Sequence, residues 1–222
     1  MGVNSVGIRR QKRYSETQMK ATKPKPKPAL SVRARILVAA GNLFHSQGIR
    51  GIGVEAIAEA ANTNKMTLYR YFASKDELIA EWVKGIVAHK DEEWRDLSAK
   101  HRGDPRGQLV DWGQRVASKL AALEQRGSAL ANALAELPDP DHPARQVIQA
   151  YKVREHKRVL RLCRDAGFEN PELAANLFYL LLEGASNCVQ CIGMRRIGED
   201  LVELVNRMVT NARTQGRAVR RL

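Results

Sequence analysis

A short run after position 63 combines the side-chain types that donate hydrogen bonds to nucleic acids. Its members are Asn64, Lys65, Thr67, Tyr69, Arg70 and Tyr71. Tyrosine hydroxyls and lysine ammonium groups donate to phosphate oxygens, and Asn, Lys and Thr can also reach base edges. If the run is helical, Leu68 and Phe72 share an inward face four residues apart, which leaves these polar side chains outside. The alternative is that the two tyrosines only pack against neighbouring helices.

The elements that must position this run are short, closely spaced helices. Apolar residues recur at intervals of three and four over residues 32–47, a glycine-rich break covers 48–53, and helices are predicted over 54–61 and 65–71. The link between the last two is only Asn62-Thr63-Asn64. Such a link lets the second helix cross the first steeply and enter a major groove, while the first helix braces it. The pattern is typical of a helix-turn-helix.

This segment resembles the N-terminal domain of the TetR family of bacterial transcriptional regulators. The resembling residues are Ile36-Leu37-Val38-Ala39-Ala40, Leu43-Phe44, Gly48, Val54, Ile57-Ala58, Ala61, Thr67-Leu68-Tyr69-Arg70-Tyr71-Phe72, Ser74-Lys75 and Leu78. The resemblance implies that the second helix is the recognition helix, with Tyr71 and Lys75 at phosphates. It further implies a recognition face made of Asn64, Lys65, Thr67, Tyr69 and Tyr71.

Two positions depart from the family pattern. Ile52 stands near the place where family members usually carry a hydroxyl residue that can touch phosphate, and Asn62-Thr63 stands where they often have Gly-Val. The first departure removes one expected backbone contact to DNA. The second leaves the turn plausible, because asparagine tolerates left-handed backbone.

Helical periodicity continues through the rest of the chain, without a convincing alternating strand pattern. Further helices are predicted over 75–100, 105–126, 128–136, 143–165, 171–192 and 198–213. We therefore expect an all-α fold with two parts. An N-terminal three-helix helix-turn-helix DNA-binding domain covers 32–84, and a C-terminal helical ligand-binding and dimerisation bundle covers 85–213.

Basic residues are concentrated at the two ends of the chain. The 222 residues carry a formal net charge of +13, of which residues 1–31 hold +7 and residues 213–222 hold +4, so that the middle is nearly neutral at +2. Alternating Lys and Pro over 23–28 favour an extended polyproline conformation, so we expect 1–31 to be a disordered basic arm and 214–222 a basic tail. Such arms attract phosphate without reading sequence, or simply solubilise the chain.

The cysteine content and the N-terminal sequence favour a cytoplasmic location. Three cysteines, an odd number, are unlike an oxidised secreted scaffold. The first thirty residues contain no continuous apolar stretch that could form the core of a signal peptide.

The helix predicted over 171–192 is almost uncharged, since Glu183 is the only charged residue between Leu173 and Met194. Asn176 and Ser186 make it too polar for a membrane span. We expect it to form, with the helix after it, a four-helix interface with a second copy of the chain. The predicted interface residues are Leu177, Leu181, Gly184, Cys188, Leu201, Val205 and Met208.

The C-terminal bundle offers candidate walls for a small-molecule cavity, namely Trp94, Trp112, Asn132, Tyr151 and Phe178. Ordinary core packing explains these residues equally well, so no effector is identified. Asn132 and Glu136 share a helical face and could bind a metal with His142, but a set with a lone downstream histidine is weak. We predict no metal and no cofactor.

Together these features predict a dimeric, sequence-specific DNA-binding regulator of a palindromic duplex operator, a TetR-like repressor released by a small-molecule effector. The chain has no Gly-rich phosphate loop and no G-x-S-x-G motif, so an enzyme is not predicted. Two alternatives stay open. One is a redox-responsive regulator that uses Cys188 and Cys191, although these residues fall on an apolar helical stripe and more simply pack there. The other is an architectural DNA-binding protein that does not read sequence.

Overall fold

The computed structural model describes residues 30–122, 127–192 and 196–212, with side chains except at 121–122 and 190–192. The predicted basic arm, apart from Leu30 and Ser31, and the predicted tail lie outside these ranges, as does the Cys191 side chain. Nine helices and no strand occupy the described ranges. They are α1 (Val32–Gln47), α2 (Val54–Ala60), α3 (Lys65–Tyr71), α4 (Lys75–Lys100), α5 (Pro105–Ala122), α6 (Ala129–Glu136), α7 (Pro143–Asp165), α8 (Pro171–Ile192) and α9 (Ile197–Thr210). The all-α prediction is confirmed.

Side-chain caps fix where the N-terminal helices begin. The Ser31 hydroxyl accepts from the Ala34 amide at 3.2 Å, and the Ser74 hydroxyl accepts from the Glu77 amide at 3.0 Å. The Glu77 carboxylate in turn accepts from the Ala73 amide at 2.6 Å. This reciprocal pattern satisfies amides that have no partner inside a helix, so α4 starts directly after the short segment that follows α3.

A first hydrophobic core joins α1–α4 to the later helices α6 and α7. Ile36, Ile57, Leu68 and Phe72 are fully or almost fully buried in it, together with Leu130 and other residues of α6 and α7. The DNA-binding domain predicted over 32–84 therefore shares its core with part of the C-terminal bundle. Helix α4 also runs unbroken across the predicted boundary at residues 84 and 85.

A second hydrophobic core forms between α5, α7, α8, α9 and the C-terminal half of α4. Gly113 of α5 lies under Val205 of α9, since a Cβ built at Gly113 would be 2.9 Å from a Val205 methyl group. Leu201 and Val205 are each 1% exposed. This corrects the expectation that both residues lie on the interface with a second copy, because α5 of the same protomer already covers them.

The nearly uncharged helix α8 packs on α7 and α9 of the same bundle. Across the described ranges, no helix is both long enough and apolar enough to span a membrane.

Candidate nucleic-acid interface and inner cavity

The turn between α2 and α3 is built by two asparagines. Asn62 has φ 50°, the left-handed region that the sequence predicted asparagine to tolerate here. Asn64 caps α3, because its side-chain oxygen accepts from the Thr67 amide at 2.8 Å. The caps and the buried Leu68 fix the orientation of a helix only seven residues long, so its outer side chains have defined positions.

The outer face of α3 carries the side chains that the sequence singled out. Tyr69 is 41% exposed and Tyr71 is 38% exposed. The Arg70 guanidinium lies 5.7 Å from the centre of the Tyr71 ring. Met66, which the sequence analysis did not select, is 85% exposed on the same helix and adds an apolar contact group. These exposures oppose the alternative in which the tyrosines serve only to pack the domain.

Two predicted contact residues have partners within the protein. The Lys65 ammonium lies 2.6 Å from a Glu55 carboxylate oxygen, in an exposed ion pair. Such pairs are weak and open easily, so Lys65 remains available to an incoming acceptor. The Lys75 ammonium donates to the Ile49 carbonyl at 2.7 Å, which fastens the start of α4 to the turn before α2. A phosphate contact by Lys75 stays a prediction and would use its remaining protons.

Ile52 is buried in the first core. Its side chain therefore takes no part in a phosphate contact, as its departure from the family pattern suggested.

Glu136, the last residue of α6 in the C-terminal bundle, binds the turn before α2 through three hydrogen bonds, which together form the Glu136 clamp. Its carboxylate accepts from the Ile49 amide at 2.6 Å and from the Arg50 amide at 3.0 Å, and its carbonyl accepts from the Arg50 guanidinium at 3.0 Å. Gly48 has φ 85°, and a Cβ there would lie 3.0 Å from the Glu136 carboxylate. The positive φ and the close approach of this carboxylate together favour a glycine at position 48.

A cavity of about 350 Å³, the inner cavity, lies between helices α4–α8. Its apolar walls include Ile86, Trp94, Leu97, Trp112, Leu130 and Leu182. Its charged and polar lining includes His89, Lys90, Glu93, Arg115, Lys119, Tyr151, Lys152, Glu155 and Glu183. The volume falls in the usual range for small-molecule sites. Three of the predicted cavity residues, Trp94, Trp112 and Tyr151, line it.

The other two predicted cavity residues lie elsewhere, and the prediction is corrected for them. Phe178 lies one turn before the α8 residues at the cavity, and its ring packs edge-on against Phe168 with centroids 6.0 Å apart. Asn132 lies beyond the first residues of α6, which are the ones that reach the cavity.

Glu155 is the buried centre of the polar side of this cavity. It accepts from the Tyr151 hydroxyl at 2.5 Å and from the Tyr179 hydroxyl at 2.8 Å, and the Lys152 ammonium lies 3.6 Å away. Burial opposes its ionisation, but Lys152 and the two hydroxyls outweigh burial and lower the pKa of Glu155 below its usual value. The carboxylate is therefore ionised and well supplied with donors.

The candidate metal ligands are used in structural contacts. Glu136 forms the clamp described above, and the His142 Nδ1 accepts from the Ala144 amide at 3.1 Å to cap α7. In the part of the chain that the structure describes, His, Cys, Asp and Glu side chains do not gather into a group that could hold a metal ion.

An apolar strip remains uncovered on α8 and α9. Leu173, Leu177 and Leu180 follow one another at intervals of four and three along α8, and Leu180 is 70% exposed. Leu204 of α9 is also exposed, and Met208 joins Leu173 and Leu177 in lining a groove of about 330 Å³ between the two helices. Of the residues predicted from the sequence to form an interface with a second copy, Leu177 is exposed in this strip and Met208 is half-buried at its edge. Leu173, Leu180 and Leu204 were not among the predicted residues.

The remaining predicted interface residues lie beside this strip. Leu181, Gly184 and Cys188 are half-buried.

Burial raises the pKa of the Cys163 thiol to about 12, so this cysteine stays protonated and unreactive. The Cys191 side chain lies outside the described residues, and the cysteine pair of the redox alternative stays a hypothesis.

The chain is similar to known proteins both in its helix-turn-helix segment and in its whole fold. Residues 36–82 match the model of the bacterial regulatory proteins of the tetR family. The HTH-type transcriptional repressor KstR2 of Mycobacterium tuberculosis is 33% identical over 67 residues, which are 30% of this chain and 34% of that protein. The matched segment thus spans about a third of the length of this curated relative.

Two solved structures share the fold across most of the chain. SCO4454, a TetR-family transcriptional regulator from Streptomyces coelicolor, has a TM-score of 0.76 at 24% identity, over 82% of this chain and 95% of that one. A candidate TetR transcriptional regulator from Streptomyces avermitilis has a TM-score of 0.63 at 29% identity, over 82% and 98%. With the helix-turn-helix geometry, these matches show that the chain belongs to the TetR family of bacterial transcriptional regulators.

Proposed function

We propose that this protein is a dimeric repressor that binds a palindromic duplex operator through α3 and releases it when a small molecule fills the inner cavity. The observation that carries the proposal is the outer face of α3, where Lys65, Tyr69, Arg70 and Tyr71 are exposed on a helix fixed by the buried Leu68. Helices of this kind read the major groove while neighbouring groups hold phosphates. Family members are regulators and not enzymes.

Dimerisation through α8 and α9 is supported by the uncovered apolar strip. Leu173, Leu177 and Leu180 on α8 and Leu204 on α9 expose large apolar side chains on two helices that pack on each other. Contiguous exposed apolar surface of this kind marks an interaction site. A second copy of the same strip is its natural partner, because a two-fold interface places identical surfaces against each other.

Release by a ligand is supported by two helices that run from the cavity to the DNA-binding segment. Helix α4 begins at the Lys75 contact with Ile49 and lines the cavity further on, at Lys90 and Trp94. Helix α6 begins at the cavity with Leu130 and ends at the Glu136 clamp. A ligand that favours one position of these helices shifts the spacing of the two recognition helices, and it does so only by its difference in affinity for the two arrangements.

Substitutions on α3 test the DNA-binding part of the proposal. Tyr71→Phe removes a phosphate donor, so we expect it to weaken binding severalfold and about equally on the operator and on unrelated duplexes. Lys65→Ala removes a base-edge donor, so we expect the ratio of operator affinity to non-specific affinity to fall roughly ten- to hundredfold. Fluorescence-anisotropy titrations of both duplexes at one fixed salt concentration measure the two constants.

Lys157→Ala is the matched control, because it deletes an exposed lysine of α7 and changes the net charge by the same amount. It should leave the ratio unchanged. Equal losses on both duplexes for Lys65→Ala and Tyr71→Phe would contradict the proposed division between reading and anchoring.

A further inference from the structure

The donors and acceptors in the inner cavity are not balanced. Each of its three carboxylates already accepts from cations or hydroxyls. Glu93 pairs with the Lys119 ammonium at 2.5 Å, Glu183 pairs with Lys152, and Glu155 accepts from Tyr151 and Tyr179. Among the described residues, each carboxylate of the lining therefore already has a donor within the protein, and a cationic ligand would have to compete with these partners.

The Lys90 ammonium is a donor of the lining without a partner among the described residues. Lys90 lines the cavity from α4 and is half-buried, and among the described residues it has neither a hydrogen-bond acceptor nor an ion-pair partner. Burial lowers its pKa, and the nearby Lys119 and Lys152 act in the same direction, although Glu155 and Glu93 oppose them. A cation held in this way gains most from an acceptor that carries negative charge.

The rest of the cavity sets the size and body of a ligand. Leu97, Leu120, Leu130 and Leu182 together with Trp94 and Trp112 supply an apolar wall. If each non-hydrogen atom takes about the 30 Å³ share of a liquid water molecule, the cavity of about 350 Å³ accommodates roughly a dozen such atoms. One ammonium without a partner matches a ligand that carries one negative charge better than a phosphate monoester, which carries two.

We infer that the cavity binds an amphipathic monocarboxylate, with its carboxylate on Lys90 and its apolar body against the leucine and tryptophan wall. This inference rests on the proposed function, because it takes the bound carboxylate to be the effector. The other cations of the lining, Arg115, Lys119 and Lys152, have carboxylate partners of their own. Lys90 is therefore the group whose loss should discriminate between charged and neutral ligands.

Three probes with one alkyl body and different head groups test the inference. Decanoate, 1-decanol and decylamine each have roughly the dozen non-hydrogen atoms that fit the cavity. They are titrated below their micellar concentrations into the full chain, with binding followed by calorimetry and by tryptophan fluorescence. We expect decanoate to bind at least tenfold more tightly than decanol, and decylamine to bind most weakly.

Variants of Lys90 assign the preference to that residue. Lys90→Met should weaken decanoate binding by about ten- to hundredfold and leave decanol binding within a factor of two or three, since a charge-assisted hydrogen bond is lost and the apolar wall is kept. Lys90→Arg should restore most of the preference, and Lys157→Met should leave it intact because Lys157 is an exposed lysine of α7 outside the cavity. Thermal unfolding of each variant checks that it is folded.

The outcomes separate the inference from the proposed function. Equal binding of decanoate and decanol, tighter binding of decylamine, no binding of any probe, or full decanoate affinity in Lys90→Met would each overturn the monocarboxylate inference. The proposed function is tested separately, by measuring the operator affinity of the same preparation without ligand and after saturation with decanoate. Decanoate bound through Lys90 with operator affinity unchanged would overturn the effector role and leave the ligand class standing.

Discussion

Leu180→Glu is expected to convert the protein to a monomer at micromolar concentration and to weaken operator binding by about a hundredfold or more. Leu180 is the last residue of the apolar strip on α8 and, at 70% exposed, the most exposed one. In a two-fold interface one substitution would place two carboxylates in an apolar contact, where each lacks a partner. Loss of the dimer also removes the second recognition helix, and with it the avidity that linked sites provide. Sedimentation velocity and operator titration measure the two effects.

Val153→Glu is the matched control for this substitution. Val153 on α7 is 54% exposed and lies outside the strip, so the same change of size and charge should leave both the sedimentation coefficient and the operator affinity near those of the wild-type protein. A Leu180→Glu protein that sediments as the wild type does, and binds the operator equally well, would contradict the proposed interface.

Glu136→Ala is expected to have the second largest effect, because it releases the turn before α2. Two amides, those of Ile49 and Arg50, lose a charged acceptor, and the Ile49 side chain is buried. Losing these two hydrogen bonds lowers the free energy of unfolding by about 2–4 kcal/mol in total, which corresponds to a fall in Tm of roughly 4–16 °C for a chain of this length. Thermal unfolding measures the change.

The same substitution should also separate the cavity from the DNA-binding segment. If α6 transmits the ligand signal through Glu136, operator binding by Glu136→Ala should respond less to a cavity ligand than operator binding by the wild type at the same ligand saturation. Glu203→Ala is the control, since Glu203 is exposed and, among the described residues, its ion-pair partner is Arg207 one turn away. A Tm within about a degree of the wild type together with an unchanged ligand response would contradict the role assigned to the clamp.

Local sequence signals predicted most of the fold because local interactions set the helix ends. Ser74 and Glu77 have the spacing of a capping box, and the structure contains the corresponding hydrogen bonds. Asn62 was expected to tolerate left-handed backbone, and it has φ 50°. The predicted ends of α5 and α9 cannot be compared at residues 123–126 and 213, which lie outside the described ranges.

Contacts between distant segments could not be predicted from the sequence. Glu136 lies 87 residues from Ile49, and nothing in the spacing of either segment indicates that one carboxylate accepts from that amide. Leu201 and Val205 follow the periodicity of an interface stripe as well as that of a core stripe. The choice between the two depends on Gly113, whose lack of a side chain lets α5 approach and bury Val205. Lys90 was missed for the same reason, since the cavity around it is assembled from several helices.

Selection of bound sequences from random duplex DNA tests the central claim most directly. The full chain is incubated with a randomised duplex library at physiological salt, and the retained sequences are determined after several rounds. We predict one enriched palindrome whose half-sites are centred about 34–36 Å apart, or a multiple of that spacing, since two α3 helices related by a two-fold axis would read successive major grooves. Retention of DNA without an enriched sequence would contradict the claim and would instead indicate binding through charge alone.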